Sequence, residues 1–280
     1  MLLSYSYKYT VYNTYMLSIL TPYLQIFKTT VKEYSAYRLN FVLWRLRMFL
    51  NLLLNFFLWS AVFDKGLSFG DYSKDSMISY ILYVSLISTF VMGSRTAEIG
   101  AFINDGTIIN ILLKPISFFK YYFARDLTDK VMNIIFALLE LGLVLWLFKT
   151  TLILPQQPLL FLLFFINGIF IAFFINLLLS FIGFWTPEIW APRFLFTMLV
   201  FFVSGSYFPL NLLPSPVYHL LLITPFPYLF YFSAQMLIGH VDWSLVYLQF
   251  AISCVWVFLL YGFAMAVWKR GNKTFSFWGR

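Results

Sequence analysis

The chain has 280 residues, of which 61% are hydrophobic, 22% aromatic and 11% charged, with a net charge of +8. An average soluble domain is about 45–50% apolar and about 25% charged, so 19 basic and 11 acidic residues cannot cover a water-facing surface of this size, and the aromatic excess excludes disorder. The basic residues sit at the edges of apolar runs, which points to anionic lipid and membrane sidedness and away from nucleic acid.

Residues 1–21 are expected to be a poorly ordered N-terminal extension. Tyr5, Tyr7, Tyr9, Tyr12 and Tyr15 interrupt it, it has no compact apolar core of a secretory signal, and Met16 is an alternative start. Residues 22–280 read as one transmembrane domain. From Pro22, suited to a first helical position, to about residue 40 the pattern is amphipathic. Tyr23, Leu24, Phe27, Val31 and Tyr34 share one side, and Gln25, Lys28, Thr29, Lys32 and Glu33 the other. Such a helix lies in the cytoplasmic membrane interface, with Lys28, Lys32 and the following Arg38 toward headgroups or a partner.

A helix needs about 20 mostly apolar residues to cross a hydrocarbon core about 30 Å thick. Six segments qualify, at roughly 43–63, 77–93, 131–148, 159–185, 193–209 and 244–268. With both termini cytoplasmic, Lys65, Lys74 and Lys149 face outside and the other basic residues lie inside or at inner helix ends, as the positive-inside rule requires. Val217 to Ile238 is apolar enough for a seventh span, but Pro225 and Pro227 interrupt it. Irregular backbone survives at membrane depth only when protein surrounds it, so residues 210–238 are expected to form a re-entrant external hairpin between spans five and six. The expected fold class is all-α integral membrane.

Polar stripes mark several spans. Arg47, Asn51 and Asn55 follow at i, i+4, i+8 beside Trp44, and amides at that depth must face protein or a wet cavity. Ser85, Thr89 and Gly93 repeat the spacing, as do Gly168, Ala172, Asn176 and Ser180. Each stripe reads either as close helix packing or as a pathway or dimer-seam lining. Glu140, in the middle of an apolar run, reads as a proton or substrate site or as a neutral or amide-paired structural glutamate. Asp126 and Asp129, beside Arg125 and Lys130, read as local helix ion pairs.

The segment from Glu98 to Ser117 is too polar to cross a membrane and too apolar for a free loop. A short helix ending before Pro115 would display Ile109, Leu112 and Leu113, either to a partner's groove or to the membrane surface. Enzymatic chemistry has little support. His219 and His240 are far apart, Cys254 is the single cysteine, there is no metal-ligand set and no cofactor is expected. Gly271-Asn272-Lys273-Thr274 lacks a phosphate-loop core, so ATP hydrolysis is not expected of this chain.

At the 98–117 segment the sequence resembles the type-two ABC exporter permeases, membrane subunits that pair with separate ATPases. The matching residues are Glu98, Gly106-Thr107-Ile108, Leu112-Leu113 and Pro115-Ile116-Ser117, with Ile108 in place of the usual Leu. A second match runs from Ser204-Gly205-Ser206-Tyr207-Phe208-Pro209-Leu210 to Leu213-Pro214. Tyr37-Arg38-Leu39-Asn40-Phe41 is similar to an uncharacterised bacterial branch resembling drug and viologen exporter permeases. The resemblance implies a single permease domain over 22–280, in the cell membrane and driven by a cytoplasmic ABC ATPase. It also implies a dimer with a second copy or a sister permease. It makes Glu98, Gly106, Thr107, Ile109, Leu112, Leu113 and Pro115 an ATPase-coupling loop, and Ser204, Gly205, Phe208, Pro209 and Pro214 an external gate. Arg47, Asn51, Asn55, Glu140 and Asn176 would then line the pathway or dimer seam. The rival reading is a proton-coupled secondary carrier using Glu140.

Overall fold

The computed structural model describes residues 21–66 and 69–274. The expectations for the first 20 residues, Met16 included, and for the last six lie outside the described residues. Within them every regular element is helical and no strand is present. In chain order the helices are α1 (residues 21–36), α2 (Arg38–Asp64), α3 (Lys74–Met92), α4 (Ala97–Asn104), α5 (Ile109–Leu112) and α6 (Phe118–Phe148). They are followed by α7 (Pro158–Phe181), α8 (Trp190–Val203), α9 (Ser215–Ile223), α10 (Tyr231–Ile238) and α11 (Val246–Thr274).

Helix α3 is the hub. Every residue from Ser76 to Val84 is buried, and the helix packs against α2, α6, α7 and α10. A helix enclosed on all sides must be apolar on all sides, with small residues where neighbours come close; Met77, Ile78, Ile81 and Leu82 alternate with Ser76 and Ser79 accordingly. Its start is capped by Ser73, whose side chain accepts from the Ser76 N–H at 3.2 Å, with Asp75 in the first turn. At its other end the fully buried Lys130 of α6 donates Nζ to the carbonyls of Phe90, Val91 and Gly93 at 3.0, 2.8 and 2.7 Å. A lysine there satisfies the orphan carbonyls of the last turn.

The peripheral helices show the opposite pattern. Leu54 of α2, Trp146 of α6, Leu195 of α8 and Phe258 of α11 are all exposed, and so much exposed apolar surface belongs against lipid or a partner and not in water. Five helical stretches are long and apolar enough to cross a membrane: α2, α3 continued through α4, α6, α7 continued to Phe184, and α11. The chain is an all-α, multi-pass membrane protein. Helix α6 begins at Phe118, well before the expected 131, because the charged residues that lower its hydropathy face protein: Arg125, Asp126, Asp129 and Lys130 are all buried.

Helix α8 is shorter than the apolar run that encodes it. Its 14 residues rise about 21 Å, against a core of about 30 Å. The stop is local: Gly205 takes the left-handed conformation at φ 81°, and the Ser206 N–H reaches back to the Phe201 carbonyl at 3.2 Å. That pair of features closes a helix irrespective of hydrophobicity. Beyond it, α9 and α10 form a hairpin whose tip, Phe226–Tyr228, is a 3-10 turn. The tip lies against Gly168: a Cβ there would be 2.8 Å from the Tyr228 carbonyl oxygen. Gly168 is ten residues into α7, so the tip reaches about 15 Å along that helix. Every residue of α10 is buried.

Candidate functional site: an open cleft and the charged cluster at its end

A cavity of about 1130 Å³ runs beside α3, with walls from α1, α2, α6, α7 and α8. It is larger than the usual ligand pocket of about 300–1,000 Å³. Leu50 and Leu54 of α2 and Phe194 and Met198 of α8 line it and are exposed, so it opens between these two helices. Three features separate in sequence meet here: Arg47 and Asn51 of α2, Ser85, Thr89 and Gly93 of the α3 region, and Asn176 of α7. Glu140 of α6 also lines it. Asn55 is not part of the wall; its Nδ2 donates to the Asn51 carbonyl at 2.9 Å and to Asn51 Oδ1 at 3.2 Å. The third stripe is chiefly packing, since Gly168, Ala172, Asn176 and Ser180 are all buried.

Glu140 has a fixed partner. The buried Arg45 of α2 donates Nε to Glu140 Oε1 at 2.9 Å and pairs through Nη2 with Oε2. A two-point guanidinium–carboxylate contact orients both groups, whereas a proton relay needs a carboxylate that exchanges partners. Arg45 escaped the sequence reading because Arg47 continued the asparagine stripe and Arg45 did not. Asn176 is held similarly: its Oδ1 accepts from Arg193 Nη2 at 2.7 Å, while Arg193 Nη1 donates to Ser180 Oγ at 2.9 Å.

At the α4 end of the cleft lies a charged cluster drawn from four segments. Arg125 of α6 pairs with Glu33 of α1 at 2.7 Å and with Glu98 of α4 at 3.0 Å. Arg95, in the turn before α4, pairs with Asp129 at 3.0 Å and approaches Glu33 at 3.6 Å. Tyr34 of α1 donates to Asp129, and the Arg95 guanidinium lies 4.7 Å from the centre of its ring. Burial first, then the Asp129 carboxylate, pushes the Tyr34 phenol above its usual range. Of the local ion pairs expected around Asp126, only Lys130–Asp126 is local, at 3.3 Å. Glu33, assigned by periodicity to the polar side of α1 with Lys28 and Lys32, faces this cluster, and Ile26 and Thr30 are buried on the protein side. In a helix bordered by lipid, apolar residues can face outward: Leu24 and Phe27 are exposed. Lys28, Lys32 and Arg38 are exposed as well.

The 98–117 segment is anchored on one side and open on the other. Ile99, Ile103, Ile108 and Ile111 are buried. Helix α4 docks on the end of α7 through two glycines: a Cβ on Gly183 would lie 2.8 Å from the Gly100 carbonyl oxygen. The turn to α5 uses Gly106 at φ 76°, with Asp105 Oδ1 accepting from the Thr107 N–H at 2.9 Å and its hydroxyl at 2.6 Å. Of the residues expected to face a partner, Leu112, Leu113 and Pro115 are exposed and Ile109 is half-buried, whereas Glu98 points inward to Arg125.

At the opposite end, Gly205 and its neighbours are tied down by neutral groups. Tyr80 of α3 donates to the Gly205 carbonyl at 2.6 Å, and Trp59 of α2 donates to the Tyr207 carbonyl at 2.8 Å. Ser204 and Pro209 are buried, Phe208 is half-buried and Pro214 is exposed at the start of α9. Tyr72 donates to Asn211 Oδ1 at 2.9 Å and accepts from Gln235 Nε2 at 2.6 Å.

Comparison with known families gives one finding. The model of a family described as ABC-2 family transporter protein matches residues 49–279. No curated protein matches the chain.

Proposed function

The chain belongs to the ABC-2 family of transporter proteins, as a membrane permease subunit of an ABC transporter, and on that footing we propose that it is the pathway-forming half of an ATP-driven exporter. Residues 22–280 act as one permease domain in the cell membrane. Both termini are cytoplasmic, α8 and the irregular stretch after it through residue 209 together complete a sixth crossing, and residues 210–238 form a re-entrant hairpin from the external side. Two permeases, identical or sister, bring their α2–α8 openings together, so that Arg47, Asn51, Glu140 and Asn176 line a shared path and Asn55 lies at its seam. The region from Ser204 through Gly205, Phe208 and Pro209 to Pro214 is the external gate. Members of this family generally pair with a cytoplasmic ATPase subunit.

The observation that carries the reading is the division of the 98–117 segment. Its isoleucines anchor it to the bundle, while Leu112, Leu113 and Pro115 project outward from the same turn. Exposed leucines on a rigidly held short helix suit an apolar groove on a partner. Glu98 and the interfacial helix share Arg125, so a push on this segment reaches α1 and α6 together. Energy from ATP binding would enter at Leu112-Leu113, pass through Arg125 and widen or close the cleft.

The test is co-purification with a co-expressed cytoplasmic ABC ATPase subunit. A Leu112→Asp, Leu113→Asp variant should lose the ATPase while keeping its own yield and unfolding temperature. An intact complex would refute the docking assignment.

A further inference from the structure

The walls of the cleft are electrically unbalanced. Each carboxylate that lines it is already occupied: Glu33 by Arg125 and Arg95, Asp129 by Arg95, and Glu140 by Arg45. Arg47 and Arg193 line the same cavity, and neither forms an ion pair among the described residues. Arg193 is nevertheless well oriented. Its Nη1 is taken by Ser180 Oγ at 2.9 Å and the Asn176 carbonyl at 3.4 Å, and one Nη2 hydrogen by Asn176 Oδ1 at 2.7 Å. Asn176 is fixed in turn by donating to the Ala172 carbonyl at 2.9 Å, and Ser180 by donating to the Thr96 carbonyl at 2.7 Å. The Nε–H and the second Nη2–H have no protein acceptor among the described residues.

A guanidinium held from behind by neutral groups, with donors left over, is half of a charge-assisted anion contact. A cation beside an apolar medium is costly until an anion joins it, and no wall carboxylate is free to do so. The other part of the cavity has the opposite character: the exposed Leu50, Leu54, Phe194 and Met198 border its opening. We propose that the cleft binds an amphipathic anion, its acidic headgroup on Arg193 with Arg47 as a second positive charge, and its hydrocarbon part along the α2–α8 opening. This rests on reading the cleft as the transport path and names the class of cargo. A cationic amphiphile would meet two unpaired arginines and no available carboxylate.

The experiment uses the full chain with its ATPase in phosphatidylcholine nanodiscs and two pyrene-labelled dodecyl probes, one with a phosphate head and one with a trimethylammonium head. The phosphate probe should bind and the trimethylammonium probe should not. Arg193→Gln should weaken phosphate-probe binding about tenfold, as for loss of one charge-assisted contact, and Arg47→Gln about threefold, as for a more exposed charge. Arg193→Lys keeps the charge and is the second variant; it should retain the preference for phosphate. Competition by added phosphatidylglycerol would place the source of the anion in the bilayer, and its absence would place it in the aqueous phase; both support the site. Equal binding of the two probes, or unchanged affinity in Arg193→Gln, would overturn it. Binding needs no ATP, so lost head-group selectivity with the ATPase still attached sinks this inference alone. Retained selectivity without an ATPase partner sinks only the transport reading.

Discussion

The two ends of the bundle are joined by different chemistry. At the α4 end, Arg95, Arg125 and Lys130 meet Glu33, Glu98, Asp126 and Asp129 across α1, α4, α6 and the turn between α3 and α4. At the hairpin end, apart from an exposed Lys74–Asp64 pair at 2.6 Å, the ties are neutral and run mostly from side chain to backbone, from Tyr80 to Gly205, Trp59 to Tyr207 and Tyr83 to the Ile153 carbonyl. Coulomb attraction falls only as the inverse of distance, whereas a hydrogen bond weakens steeply outside its narrow range of length and angle. An ionic junction can therefore slide by an ångström or exchange partners and stay attached. A tyrosine on a carbonyl either stays or lets go. Under the proposed reading, the α4 end would transmit displacement and the hairpin end would hold one of two positions.

The largest effect should come from the deepest pair. Lys130 and Asp126 are 1% and 0% exposed, and the lysine also supports the end of α3. Lys130→Met leaves a buried carboxylate unpaired and should cost about 3–5 kcal/mol, read by denaturant unfolding in detergent. Adding Asp126→Leu should recover much of the loss, since apolar replacement of a whole buried pair is often neutral. If the double variant is no better than the single, the contrast drawn between the two ends loses its charged half.

Arg125→Gln comes next. It strips Glu33 and Glu98 of their shared partner, and because both acids are partly exposed the cost should be near 2 kcal/mol. The informative readout is coupling: the ATPase should remain bound while cargo no longer stimulates its hydrolysis. Normal stimulation in a correctly folded Arg125→Gln complex would mean that displacement bypasses this junction.

The sequence was most legible where the bilayer imposes the rule. Long apolar runs predicted the five long helices, and Pro225 with Pro227 marked the break between α9 and α10. The 193–209 run misled about the end of α8, because hydropathy carries no trace of the left-handed turn that Gly205 adopts. Pairings across the bundle were the least readable. Arg45 with Glu140, Arg125 with Glu33, and Arg193 with Asn176 join residues 95, 92 and 17 positions apart. Periodicity along one helix cannot supply a partner on another. What it could supply was the demand for one, as at Glu140, since a charge in an apolar run must be matched.

Tyr80→Phe tests the neutral half of the comparison. It removes the donor to the Gly205 carbonyl and leaves that buried oxygen unpaired, at a cost of about 1–2 kcal/mol. ATPase attachment should not change, because the proposed link is at the other end. A loss of ATPase binding in this variant would mean that the two ends are not separable in the way their chemistry implies.

The smallest effect is a pH dependence confined to the hairpin end. His240 stacks on Tyr72 with ring centres 4.6 Å apart. Burial lowers the imidazole below its ordinary value, with Asp71 opposing in part, and burial also pushes the Tyr72 phenol up to about 12. Asp242 and His219 line the same small cavity. The fold thus favours neutral His240. Its contribution is complete above the unfolded value of about 6.5 and is lost as pH falls through the lower folded value. His240→Gln removes the titration and keeps a polar group. The unfolding midpoint of the parent chain should therefore drop more than that of the variant between about pH 7.5 and pH 5.5. Every other group is the same in both proteins and cancels in the difference. Parallel curves across that window would leave the hairpin end without the pH sensitivity its histidine predicts.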